Sequence, residues 1–460
     1  MTDSSLNAAH PTPQRDAFTS RFGVIAATLG SAVGLGNIWK FPYLTGANGG
    51  AGFLVVYLIA TLLIALPVMI AEITLGRTAR ANAIGTLKTL APRGQPWWLI
   101  GAAGTLAAFL ILAFYTVVAG WVFAYTAHAL TGQLDASTPE AAKNAFNSLT
   151  HSPWHVLIWQ WVVLALTGGI ILFGVSKGIE AVTKKLMPIL FLLLLAIGIR
   201  SLTLPGASAG LAFLFTPDFS KISASVILTA MGLAFFKLSI GIGTMMTYGS
   251  YFRDDQNIPA TAVRVMFADL AVSMLAGIAI FPAVFAFGFE PSAGPSLLFI
   301  TLPAVFAGMP AGGVFLALFF VLTSIAALGA MLSILEVPVA ALCEERKWSR
   351  RRATVVCLIL LALVGATAAL SDTWLAAIRP FGMSFFDLYD YLSSNILMPI
   401  GGIGLCLFVG WNWGKTRFAA ALSNQGQLAN LRTIDVLFFL ARWVSPLLVG
   451  WVMLKSLGIL

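Results

Sequence analysis

SAVGLGNIWKFPYLTGANGG, residues 31–50, lies in the first apolar stretch of the chain and carries Gly34, Gly36, Gly46, Gly49 and Gly50 together with Pro42 and Lys40. A glycine costs about 1 kcal/mol in a helix interior, and an unpaired N–H or C=O in hydrocarbon costs several more. Unwound backbone at membrane depth survives only where it faces protein, water, an ion or a substrate. A second stretch, FFKLSIGIGTMMTYGSYF at 235–252, has the same character. Close packing through small residues is the competing explanation of such glycines. It does not explain why the two breaks fall in the first and sixth apolar segments, corresponding positions of two five-segment halves. That placement is expected of a transporter built from an inverted repeat with its site near the midplane.

The remaining composition agrees with a bilayer solvent. Hydrophobic residues make up 59% of the chain and charged ones 10%, with a mean hydropathy of +0.90. Eleven stretches are long enough to span: residues 22–44, 51–76, 97–130, 156–173, 178–202, 223–251, 258–289, 311–343, 353–370, 379–411 and 435–457, numbered below as segments 1 to 11. The expected fold is an all-α polytopic membrane protein with about 11 transmembrane helices, a 5+5 inverted repeat in which helices 1 and 6 are broken. Its expected parts are a cytoplasmic tail at 1–20, repeats at 21–202 and 203–411, and a linker with the eleventh helix at 412–460. Residues 1–20 are polar and contain no apolar core of a signal peptide. With the N-terminus inside, loops bearing Arg77, Arg80, Lys88 and Arg93, then Lys177, Lys184 and Lys185, then Arg346, Lys347, Arg350, Arg351 and Arg352 all fall on the cytoplasmic side, as the positive-inside rule requires. The net charge of +9 is thereby an orientation signal and not a nucleic-acid one. Cys343, Cys357 and Cys406 lie in or beside apolar runs and imply no disulfide framework. The longest outer loop, 131–155, is polar and is expected to hold a short helix.

Four stretches carry a resemblance: SRFGVIAATLGSAVGLGNIWKFPYLTGANGGAGFLVVYL (20–58), MTYGSYFRDDQNI (246–258), ITLPAVFAGMPAGGVFLALFF (300–320) and FGMSFFDLYDYLSSNILMP (381–399). In unbroken order from about residue 15 onward, the chain resembles the neurotransmitter:sodium symporter family in its bacterial branch. The resemblance implies the leucine-transporter fold, amino acids or related amines as substrates, and symport with sodium; a multi-pass place in the bacterial inner membrane is expected, where an odd number of spans with the N-terminus inside puts the C-terminus outside. It also implies a substrate carboxylate on the amides of Leu35 and Gly36, at the positive start of a half-helix. Ile111, Tyr115, Phe236, Ser239, Ile242 and Ile334 then form a mostly apolar side-chain pocket, with Ala32 and Lys237 also among the expected substrate-binding residues. Ala32 and Asn37 belong to the first sodium site; Gly30, Val33, Ala326, Gly329 and Ala330 belong to the second. Phe236 is the lid, Lys40 and Asp390 the outer charged gate, and Arg15, Phe18, Tyr251 and Glu345 the inner one.

Departures from the family pattern fall on the ion sites. FFKLS places Lys237 where a hydroxyl usually meets the first sodium, and MFADLAVS places Asp269 where an asparagine usually does. LGAMLSILE supplies Gly329 and Ala330 in place of the two hydroxyls of the second site. A positive charge about 4 Å from sodium repels it by roughly 4 kcal/mol at an effective dielectric of 20, near a thousandfold in affinity. Lys237 lies too deep to snorkel, and Asp269 is its expected partner. The ammonium is expected to occupy the first sodium position, with the substrate carboxylate within its reach. A purely structural Lys237–Asp269 pair is the alternative. Sodium use is thereby in question at both places, proton coupling becomes an option, and Asp269 one turn from Ser273 argues against chloride.

The functional expectation is a secondary active transporter of an amino acid or similar zwitterion. The alternative is a substrate sensor or partner subunit on the same fold that no longer transports. No catalytic triad, metal cluster or phosphate loop appears in the sequence, and no cofactor or nucleic-acid partner is expected. Glu72 and Glu336 are read as polar links between helices.

Overall fold

A computed structural model describes residues 16–134, 136–289 and 297–459. Among them, nine helices are long and apolar enough to cross a membrane: Ala51–Ala79, Trp98–Leu130, Pro153–Leu172, Val175–Leu202, Ile258–Ala286, Gly312–Glu345, Arg350–Ala369, Phe385–Trp413 and Leu431–Ser456. Segment 1 adds a bent pair, Arg21–Ala32 and Gly36–Ala47, inclined at 55°. Segment 6 is likewise in two pieces, Ala224–Lys237 and Thr244–Gly249. These eleven elements match the eleven apolar stretches, and the two interrupted ones are the two that the glycines single out.

Helix starts follow side-chain capping. Ser20 accepts from the Gly23 amide, and Thr138, Ser223, Asn257, Ser349 and Ser384 cap in the same way, each relieving an orphan donor of a first turn. Thr138 opens the outer-loop helix Pro139–Thr150, as the polar loop predicts. Segments 2, 3 and 8 are the most enclosed, with 67%, 72% and 67% of their apolar windows buried. Segments 5 and 11 lie at the edge, at 33% and 28%.

The interruptions have local causes. In segment 6, Ser239, Gly241 and Gly243 all have positive φ, of 52°, 79° and 75°, so the helix cannot continue. At Gly241 a Cβ would lie 2.4 Å from the Met398 carbonyl oxygen. The amides and carbonyls set free are taken up by other segments. Glu72 of segment 2 accepts from the Gly241 amide at 2.6 Å, and Ser239 donates to the Ser31 carbonyl at 2.9 Å. Ahead of segment 1, Asp16 accepts from the Val175 amide at 2.6 Å and Glu180 accepts from the Thr19 amide at 2.7 Å. The chain before the first helix is thereby pinned to the start of segment 5.

Segment 2 meets the second piece of segment 6 through Gly76, where a Cβ would lie 1.9 Å from the Met246 carbonyl oxygen. Gly76→Ala is expected to cost about 1–3 kcal/mol by forcing these backbones apart. Gly169→Ala, where nothing lies within 4 Å of the added carbon, should be neutral or slightly stabilising. Melting temperatures of the two purified variants against the parent protein check both.

Candidate functional site

The two breaks face one small cavity. Its lining is Ser31, Ala32, Gly34, Gly36, Ile111, Tyr115, Phe236, Lys237, Ser239, Ile242, Ala330, Ile334 and Met398, around about 30 Å³ of free space. Every residue expected at the substrate pocket is therefore present except Leu35, which contributes its backbone. The Leu35 amide donates to the Tyr115 hydroxyl at 3.0 Å, so the tyrosine reaches the unwound turn. Asn37 closes that turn by accepting from the Gly34 amide at 3.2 Å. Met398 was not foreseen; a methionine in the apolar run of segment 10 carries no sequence signal of its own.

Beside the cavity lies a buried polar cluster. The Lys237 ammonium is 2.9 Å from Asp269 Oδ2 and 3.1 Å from the Tyr57 hydroxyl, and it also donates to Ser273 Oγ. Three acceptors match its three protons. The rings of Phe41 and Tyr57 flank it, with centroids 4.8 and 5.1 Å away. Asn37 Nδ2 donates to the other Asp269 oxygen at 2.6 Å and to Ser273 Oγ at 3.1 Å. Ser273 spends its own proton on the Asp269 carbonyl at 2.9 Å. Segments 1, 2, 6 and 7 are joined here. The three protons of the ammonium are thus spent on Asp269, Tyr57 and Ser273, while Lys237 also lines the cavity. Its Cγ lies 3.9 Å from where a Gly36 Cβ would stand. Tyr57 was missed, because a tyrosine in AGFLVVYLIA reads as an ordinary packing residue.

At the second expected ion position, segments 1 and 8 meet in bare contact. A Cβ on Gly329 would lie 3.0 Å from the Gly30 carbonyl oxygen and 3.4 Å from the Met187 methyl. One on Gly34 would lie 2.9 Å from Ala330 Cβ and 3.9 Å from the Ala326 carbonyl. Val33 is buried at the end of the first half-helix. The five residues are thus gathered, with backbone carbonyls and no side-chain hydroxyl among them. Cations of this hard type prefer oxygen ligands in number.

The gates differ from expectation. Lys40 sits over the Phe236 ring, 4.0 Å from its centroid, and among the described residues no ion pair joins it to Asp390. That carboxylate instead accepts from Ser394 in its own helix at 2.8 Å. A lysine lacks the planar fork that would hold a carboxylate at a distance, and an aromatic face satisfies its point charge. On the other side of the bundle, Phe18 packs edge-on against Tyr248 and Tyr251, with centroids 5.7 and 6.1 Å apart. Tyr251 donates to Glu336 at 2.7 Å, and Arg350 holds both oxygens of Glu336 at 3.1 and 2.5 Å. Glu345 pairs with Lys88 on the helix Ala83–Leu90. Arg15 lies outside the described residues. Glu72 and Glu336 do link helices, as their apolar surroundings predict.

Comparison with known proteins agrees with this geometry. The family model of the sodium:neurotransmitter symporter family matches residues 15–150 and 143–459. An uncharacterized sodium-dependent transporter of Bacillus subtilis (strain 168), YhdH, is 40% identical over 443 residues, covering 96% of this chain and 98% of that protein. An uncharacterized sodium-dependent transporter of Haemophilus influenzae is 38% identical over 408 residues, 86% of this chain and 89% of the other. Among solved structures, MhsT in complex with L-phenylalanine superposes with a TM-score of 0.88 at 42% identity, covering 96% of this chain and 100% of that one. With its two interrupted helices around a midplane cavity, this multi-pass chain belongs to the sodium:neurotransmitter symporter family of membrane transporters.

Proposed function

We propose that the protein moves an amino acid with an apolar side chain across the membrane by alternating access. In this reading the Lys237–Asp269 pair stands where relatives hold their first coupling ion. One observation carries it: the Lys237 ammonium, saturated by Asp269, Tyr57 and Ser273, lies in the same polar cluster as Asn37. A fixed positive charge at that place does electrostatically what a bound cation would, and a second cation beside it is repelled. The absence of hydroxyls at Gly329 and Ala330 supports the same reading at the second position. Coupling then runs without sodium or through a proton.

The substrate's carboxylate would accept from the amides of Leu35 and Gly36, with the start of the half-helix supplying further positive potential. Ile111, Ile242, Ile334 and Met398 offer its side chain only apolar surface. A solved relative at 42% identity holds L-phenylalanine, which supports an apolar amino acid. Free space of about 30 Å³ holds no more than a water or two, so substrate entry must spread the two halves. Phe236, with Lys40 on its face, is the part of the lining placed to move outward.

Binding of apolar amino acids should change less than about twofold when sodium is replaced by choline at constant ionic strength, well under the 1.4 kcal/mol of a tenfold effect. Steep sodium dependence would overturn the assignment of Lys237. Accumulation in proteoliposomes accompanies this measurement, because a sensor would bind substrate without accumulating it.

Decarboxylated or esterified analogues should bind at least about tenfold more weakly than the parent amino acid, since each removes a charge-assisted contact of about 1.5–3 kcal/mol. Equal affinity would remove the carboxylate from Leu35 and Gly36.

Lys237→Thr alone should destabilise the protein by about 3–5 kcal/mol because it strands a buried carboxylate. Lys237→Thr with Asp269→Asn should recover most of that loss and raise sodium dependence. Thermal melting with and without sodium checks the order of the two variants.

A further inference from the structure

Segment 11 holds a charge for which the transport site has no use. Arg442 is the twelfth of the 26 residues in Leu431–Ser456. Seven residues before it, Asp435 forms a half-exposed ion pair with Lys415 at 3.0 Å, which marks where that end of the helix meets water. At 1.5 Å per residue, the Arg442 backbone is therefore about 10 Å inside that boundary. Its side chain runs back toward the boundary. The guanidinium lies 4.4 Å from the Trp411 ring centroid, near the end of segment 10, and 5.3 and 6.0 Å from those of Trp443 and Phe438. Gly410 makes room for the stem, since a Cβ there would fall 2.9 Å from Arg442 Cγ.

The charge has aromatic neighbours but no anion. Nε is buried without a hydrogen-bond partner, and among the described residues no carboxylate pairs with the guanidinium. Cation–π contacts of this kind are weak beside the cost of an ion placed in hydrocarbon. The ring pair over it, Trp411 and Trp443, is packed edge-to-face at 4.8 Å. Both rings are about half exposed, as are Val436 and Phe439 nearby. The surroundings are thus an open apolar surface, not a water-filled pocket.

We propose that Arg442, framed by Trp411 and Trp443, binds the phosphate of an anionic phospholipid. In the orientation that the basic loops predict, this lipid belongs to the cytoplasmic leaflet. A soluble anion would have to shed its water to reach a guanidinium flanked by exposed apolar side chains, whereas a phospholipid brings its phosphate there with its chains already in hydrocarbon. In a zwitterionic headgroup the lipid's own ammonium competes with the arginine for the phosphate's charge, so an anionic headgroup is preferred.

The full-length protein, reconstituted in a mixture of phosphatidylglycerol and phosphatidylcholine and then analysed by native mass spectrometry, reads this directly. One phosphatidylglycerol should be retained in preference to phosphatidylcholine by about tenfold, as a single charge-assisted contact allows. Arg442→Gln should reduce the preference to parity, and Arg442→Lys should keep part of it. Equal retention of the two lipids by the parent protein, or an undiminished preference in Arg442→Gln, would overturn the proposal. So would displacement of the lipid by inorganic phosphate, which would assign a soluble anion instead. Should Arg442→Gln fail to fold, the parent protein's preference decides the outcome.

Discussion

Every backbone donor and acceptor released where segments 1 and 6 come apart has to find a partner without water's help. The partners it finds determine the architecture. Gly241 is received by Glu72 of segment 2, Leu35 by Tyr115 of segment 3, and the Ser31 carbonyl by Ser239 of the other broken helix. Each interruption is thus stitched to different helices, and the two are stitched to each other. A rigid-body tilt of either half-helix must exchange these bonds for others, which makes the midplane a place of discrete arrangements and not of gradual bending.

The Lys237 cluster adds an electrostatic tie of a different kind. Burying two opposite charges costs several kcal/mol per ion, offset only when geometry and supporting hydrogen bonds are good. Tyr57, Ser273 and Asn37 provide that support, each from a different segment. Asn37 is the hinge between the two systems. Its amide nitrogen serves the charged cluster while its oxygen serves the unwound turn at Gly34. The charge state of the cluster and the shape of the substrate turn are therefore connected through one side chain.

Much of this was legible in the residues because the physics is local. Apolar runs give spans, and glycines with positive φ give interruptions. Lys237 in such surroundings has to find an acid, and Asp269 is the acid it finds. What could not be read depends on which way a side chain turns. The lysine's ammonium meets Tyr57 and Ser273 as well as Asp269, and no spacing rule names those two. Lys40 prefers an aromatic face over a carboxylate that sequence alone makes equally available. Glu344 and Glu345 are adjacent acids at a helix end, and only the placement of Asn82 and Lys88 decides which contact each makes. Tyr57 looked like packing because its role lies entirely in its terminal oxygen.

The contact between Tyr115 and Leu35 bears on how affinity is set. An amide already satisfied by a phenolic oxygen is not a vacant donor awaiting a ligand. In the proposed reading, an arriving carboxylate would compete with an internal surrogate, and the free energy of association would contain only the difference between the two hydrogen bonds. Neutral hydrogen bonds are worth about 1 kcal/mol net and charge-assisted ones about 1.5–3, so the exchange itself favours the anion modestly. The displaced hydroxyl would regain a partner by donating to the same carboxylate. In that reading, selectivity at this turn would come from a swap of partners, in which ligands whose oxygen accepts no better than a phenol's leave the turn as they found it.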